Sequence, residues 1–178
     1  MYYITNLKRQ PNKYLRSASV NYALTYALNP NPNYRYFKLI NDTSGDCSNF
    51  VSQCLLAGNA PMNFNSFRPW WYKHAANKAY DTWSISWTVA HSLYYYLRIN
   101  HEKNLPYAKG IETTTAKDLE LGDLIFFQNK AGVIFHSSIV TGFLLGQPLI
   151  SQHSYEAVNI PYKKSWPVFK YHYVKIII

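Results

Sequence analysis

Gly45-Asp46-Cys47-Ser48-Asn49-Phe50-Val51-Ser52-Gln53-Cys54-Leu55-Leu56-Ala57-Gly58 reads as a thiol placed at the start of a helix. Gly45 and Asp46 end a polar loop, and Phe50, Val51, Cys54, Leu55 and Leu56 then recur at helical spacing. Gly58, followed by Asn59 and Pro61, is the expected C-terminal cap. Cys47 therefore falls in the first turn, where unpaired backbone N–H groups and the positive end of the helix dipole favour a thiolate. The competing use of such a cysteine is as small apolar filler, since free cysteine is among the most buried residue types.

Composition narrows the classes open to the chain. Its 178 residues fit one domain with a real core, and 48% hydrophobic content with 17% aromatic excludes a disordered chain. Seventeen tyrosines and five tryptophans supply rings for core packing or for a partly wet binding surface. Eighteen Lys and Arg against nine Asp and Glu leave a net charge of +9, which favours polyanionic surroundings: nucleic acid, acidic membrane or anionic bacterial cell-wall polymer. Lys8-Arg9 and Lys163-Lys164 are only pairs, and neither zinc-finger spacing nor a phosphate-cradling glycine loop occurs, which argues against nucleic acid. No apolar run nears the ~20 residues of a membrane span, and Met1 to Arg9 lacks the apolar centre of a signal peptide, so a soluble chain is expected. Cys47 and Cys54, seven residues apart on one helix, lie roughly 10 Å apart and cannot form a disulfide.

Around the cysteine helix the chain divides into a helical first half and a β-rich second half. Asn12 to Leu28 carries Leu15, Ala18, Tyr22 and Tyr26 at helical spacing and is stopped by Asn29-Pro30-Asn31-Pro32. An aromatic loop with Phe64, Phe67, Trp70, Trp71 and Tyr72 follows the cysteine helix, and Ser84 to Trp87 caps a helix running to about Ile99. From Gly110 onward short β-rich runs alternate with turn residues, giving strands at Asp123 to Gln128, His136 to Thr141, Leu149 to His153 and near Tyr171 to Ile178. Helices first and antiparallel sheet second make one α+β domain.

A thiol nucleophile needs an imidazole within hydrogen-bond reach, oriented by a third polar group. His74, His91, His101 and His172 sit without a partner and read as surface or satisfied core positions, whereas His136 opens a strand directly after the turn Lys130-Ala131-Gly132. If the strands at His136 and His153 form a hairpin across a loop near Phe143 to Gly146, these two histidines lie opposite one another on one face. A one-residue slip would turn His153 away and present Gln152 or Ser154 instead. A metal site of Cys47, His136 and His153 competes with this reading, but no short ligand pair such as Cys-x-x-Cys occurs, so no metal or cofactor is expected.

GDCSNFVSQC resembles the DCSGFV nucleophile motif of NlpC-type cell-wall peptidases, with Asn49 where that motif has glycine. Leu119 to Phe127, LELGDLIFF, resembles that family's L-x-x-GDLVFF strand, and His136 with its followers resembles its HVGIY strand. The chain is most similar to the putative amidase domain of the same papain-like group, which carries GDC-x-NFVSQCL, S-x-SW, GDL and HS-x-IVT in this order over residues about 20 to 155. The resemblance implies a papain-like fold, Cys47 as nucleophile, His136 as general base and His153 as the third polar residue, with Gln152 the alternative. It implies Tyr34, or Tyr36 close by, as an oxyanion support, with Ser48 beside the nucleophile in a supporting place.

In place of the NlpC-type LPR specificity segment stands the aromatic loop, so Trp70, Trp71 and, from the S-x-SW motif, Trp87 are candidate substrate-binding residues; core lids are the competing use. The expected activity is thiol-dependent hydrolysis of amides in bacterial cell-wall peptide or peptidoglycan, with anionic wall polymer a further partner and a secreted or wall-associated location. A binding module that has lost catalysis but kept the groove is the alternative.

Overall fold

The computed structural model describes residues 13–40 and 45–178. The lead through residue 12, read above as lacking a signal-peptide pattern, and most of the polar loop before Gly45 lie outside the described residues. Among the described residues four α-helices, α1 Arg16–Tyr26, α2 Cys47–Ala57, α3 Ile85–Thr88 and α4 Ala90–Glu102, precede a six-stranded antiparallel sheet. A two-stranded ribbon of β1 Tyr72–Lys73 and β2 Thr82–Trp83 lies in the aromatic segment. The large sheet comprises β3 Lys109–Thr113, β4 Leu124–Gln128, β5 Ile134–Leu144, β6 Gln147–Gln152, β7 Ala157–Pro161 and β8 Lys170–Ile177, in the order β3-β8-β4-β5-β6-β7. The α+β expectation therefore holds, with β3 and β7 as strands that the turn pattern did not disclose.

The Leu-Ile-Phe-Phe run of β4 is buried on both faces, which is why it does not alternate with polar residues. Leu124 and Phe126 pack under the helices, while Ile125 and Phe127 join a second cluster with Leu119, Val140, Ile150 and Tyr162. Just before β4, Gly122 takes a positive φ of 83° and Asp123 is buried. The Asp123 carboxylate accepts from Arg16 at 2.6 Å, the Ile176 N–H at 2.9 Å and the Glu120 N–H at 2.8 Å. The GDL motif thus ties α1, β4 and β8 together.

Helix α2 is not amphipathic in use: every residue from Cys47 through Leu55 is buried. Its polar side chains are accommodated because each has a partner. The Ser52 hydroxyl donates to the Trp87 carbonyl at 2.9 Å and accepts from Trp70 Nε1 at 3.0 Å. Asn49 accepts from Trp87 Nε1 at 2.8 Å, and Gln53 accepts from the Tyr22 hydroxyl at 2.7 Å. Trp70 and Trp87, whose rings lie 4.9 Å apart, are 0% exposed. This corrects their reading as substrate-binding residues: they are wedges that brace the cysteine helix from inside the core.

Gly58 is the C-cap of α2, as the sequence leads one to expect, but it is not the residue that takes the left-handed conformation. At the end of α2 the left-handed residue is Asn59, with φ 76°, and the Asn59 and Ala60 N–H groups bond the Leu56 and Leu55 carbonyls in a Schellman arrangement. Gly58 is needed for space instead, since a Cβ there would stand 2.4 Å from the Tyr14 ring, whose hydroxyl is held by Ser19 and the Gly122 carbonyl. Gly58→Ala is therefore expected to destabilise by about 1–3 kcal/mol through overpacking. An unchanged melting temperature would contradict this. The helix expected from Ser84 breaks at Val89, which is extended at φ −111°, ψ 121°, into α3 and α4.

Candidate active site

The β5–β6 hairpin decides which residue faces His136. Its turn is the two residues Leu145 and Gly146, both at positive φ, so β5 runs further than its apolar core suggested. The register shifts at Thr141, between the Val140↔Ile150 and Gly142↔Leu149 pairs. Past the bulge, Ile139 pairs with Ser151, which puts Gln152 on the same face as His136 and turns His153 away. His136 Nε2 and Gln152 Oε1 are 3.0 Å apart, and both residues are buried.

The protons follow from the partners. Gln152 Nε2 donates to the Tyr155 carbonyl at 3.1 Å, so its Oε1 must be the atom turned to His136. That oxygen accepts from His136 Nε2–H and from the Ser165 hydroxyl at 2.6 Å. With the proton fixed on Nε2, the Nδ1 lone pair of a neutral His136 is left for the thiol. The Trp166 ring lies 5.7 Å from His136 and stacks on Tyr155 at 5.1 Å, while Phe127 meets the imidazole edge-on at 5.0 Å. Ser165 and Trp166 carried no sequence signal, being a Ser-Trp pair in a loop remote from the hairpin.

Cys47 is the first residue of α2 and 7% exposed. Burial pushes its thiol up, but the charge and hydrogen bond of His136, a backbone hydrogen bond from Ser137 and the Ser48 hydroxyl together outweigh burial and lower it from 9.0 to about 7. Ser48 is itself held by Ser137 across the helix–sheet contact, Oγ to Oγ 2.9 Å. Cys54 is the contrasting case: enclosed in the core, its thiol is raised well above 9.0 by burial.

Asp46 precedes Cys47 but does not cap the helix with its side chain. Its carboxylate instead accepts from the Phe37 N–H at 2.9 Å and Asn49 Nδ2 at 2.8 Å, and meets His153 Nδ1 at 2.5 Å. Among the described residues the Asp46 side chain thereby leaves the first-turn N–H groups uncapped, as an oxyanion site requires. His153 Nε2 donates to the Tyr26 carbonyl at 2.8 Å, at the C-terminal end of α1, and the ring stacks on Phe50 at 4.1 Å. Both nitrogens of His153 are occupied, so it ties the end of α1 to the start of α2 and stands apart from His136.

Cys47 opens onto a cavity of about 400 Å³ walled by Phe37, the Thr88–His91 segment and the Val133–Phe135 segment. Neither tyrosine expected near the oxyanion lines it. Tyr34 packs among Tyr72, His74 and Trp87, and Tyr36 donates to Glu156. Trp71 is half-buried against Phe64, with Lys73 over both rings, and it too lies outside the cavity walls. Among the described residues no group of three His, Cys, Asp or Glu side chains converges as metal ligands, and no helix is long and apolar enough to cross a membrane.

Gln152 and His153, the two candidates for the partner of His136, separate by experiment. Gln152→Ala is expected to lower turnover on the order of a hundredfold, less than loss of a charged triad carboxylate would. His153→Ala strands a buried carboxylate and is expected to cost about 3–5 kcal/mol of stability. Melting curves beside turnover numbers for both variants check this, and a catalytic loss confined to His153→Ala at full stability would reverse the assignment.

The profile of the putative amidase domain matches residues 13–176. The uncharacterized protein YhbB of Bacillus subtilis (strain 168) is 35% identical over 149 residues, covering 82% of this chain and 43% of its own length. The uncharacterized protein YjcM of the same strain is 32% identical over 156 residues, covering 81% of this chain and 32% of its own length. The chain thus spans less than half the length of these relatives. No solved structure matches it.

Proposed function

Because the chain belongs to the putative amidase domain family, we propose that it hydrolyses amide bonds through Cys47, with His136 as base and Gln152 holding His136. The observation that carries this reading is the buried first-turn thiol, lowered to about 7 by an imidazole whose far nitrogen is fixed by Gln152. In the proposed reaction the Cys47 thiolate adds to the amide carbonyl, and first-turn N–H groups of α2 receive the oxyanion. His136, protonated by taking the thiol proton, passes it to the leaving amine. The neutral imidazole then draws a proton from water as that water attacks the thioester, and the acyl group leaves as a carboxylic acid while Cys47 is restored.

A nucleophile helix packed on an antiparallel sheet that supplies the imidazole also supports a papain-like kinship. The net charge of +9 favours a substrate held in anionic polymer, and bacterial cell-wall peptide is the substrate class we propose, which would place the protein outside the cell membrane. Purified peptidoglycan incubated with the protein, with products identified by mass, tests the substrate. Iodoacetamide at neutral pH tests the nucleophile: rapid modification of Cys47 is expected, and an inert thiol would leave a binding module as the function.

A further inference from the structure

The cavity at Cys47 is enclosed by Phe37, Val89, Ala90, Val133 and Phe135 around two polar side chains, Thr88 and His91. Among the described residues that line it there is no Asp, Glu, Lys or Arg. His91 is turned to the backbone here, its Nδ1 accepting the Ile134 N–H at 3.2 Å. Val89 and Val133 are each 44% exposed, leaving branched apolar side chains in water beside the thiol. A group seated here gains contact with those walls, whereas a carboxylate or ammonium would lose hydration and find no counter-charge among the described lining residues.

We infer that this cavity is the specificity subsite and that it takes an uncharged apolar group flanking the scissile amide, an inference that rests on the hydrolase reading above. The overall charge acts the other way, since +9 draws carboxylates toward the protein as a whole. The long-range field and the local pocket therefore select different parts of a substrate: anionic polymer over the surface, an apolar group at the bond. The cavity also replaces Trp70 and Trp87, which are enclosed, as the surface that discriminates.

The test uses three thiol reagents that differ only in the amide substituent: N-benzyl-, N-carboxymethyl- and N-(2-aminoethyl)-chloroacetamide. Each is timed on Cys47 of the whole chain, the modified residue being identified by mass, and on glutathione as the reference for intrinsic reactivity. The benzyl reagent is expected to exceed both charged reagents by roughly tenfold or more after that correction. Val133→Glu and Val89→Glu, two separate changes at exposed rim positions, are each expected to reduce the benzyl advantage, and Val133→Lys to raise the carboxymethyl rate. If all three reagents keep the ratios seen with glutathione, or the carboxymethyl reagent leads, the subsite inference is overturned even where amide hydrolysis has been demonstrated. A clear benzyl preference in a protein that cleaves no amide would uphold the subsite and remove the hydrolase reading.

Discussion

Cys47→Ala is expected to reduce amide hydrolysis by at least about a thousandfold while leaving the fold intact. The thiol contributes reactivity more than packing. The Ser48 hydroxyl, 3.8 Å from Cys47 Sγ, keeps its closer contact with Ser137 after the change. The expected loss of stability is about 1 kcal/mol, within the ordinary range for a single substitution. Cys54→Ala should behave oppositely, costing about as much stability while sparing turnover, because burial raises that thiol beyond use as a nucleophile. Turnover and melting temperature measured on both variants check the pair. Equal activity in wild type and Cys47→Ala would end the nucleophile assignment.

His136→Ala is expected to have the next largest effect, and it can be read without a substrate. Burial is the largest influence on the Cys47 thiol and pushes it up; His136 is the chief opposing group. Without the imidazole the hydrogen bonds of Ser137 and Ser48 are left to oppose burial, so the thiol rises from about 7 toward its ordinary 9.0. Since the thiolate is the reactive form, alkylation of wild type should climb through neutral pH and that of the variant only in alkali. At pH 7 such a change leaves about 1% thiolate in place of about half, a slowing of roughly fiftyfold. A pH profile of alkylation that is identical in wild type and His136→Ala would show that thiol and imidazole are not coupled.

Much of this site is legible in the sequence because its parts are local. A turn, a thiol and a helical apolar repeat place Cys47, and a strand opening after Lys130-Ala131-Gly132 singles out His136. What the sequence leaves open is register. A single bulge at Thr141 exchanges the faces of Gln152 and His153, and a bulge has no fixed residue signature. The wedge role of Trp70 and Trp87 is hidden for another reason: their indole N–H groups find Ser52 and Asn49 on the helix, contacts that depend on tertiary packing. Ser165 reaches Gln152 from beyond β7, and Asp46 reaches His153 across 107 residues, so neither pairing follows from neighbouring sequence.

The enclosure of α2 has a consequence for how the molecule comes apart. From Phe50 onward its amides lie inside a helix walled by α1, α3, α4 and the sheet, so they should exchange with deuterium only when the whole fold opens. Their protection should approach the global unfolding free energy, ahead of the chain's peripheral turns. Thiol reactivity would then survive partial loosening elsewhere and vanish in the same denaturant transition that abolishes the fold. Adjustment to a bound molecule is then expected on the opposite bank of the cavity, where Val89 and Val133 stand exposed.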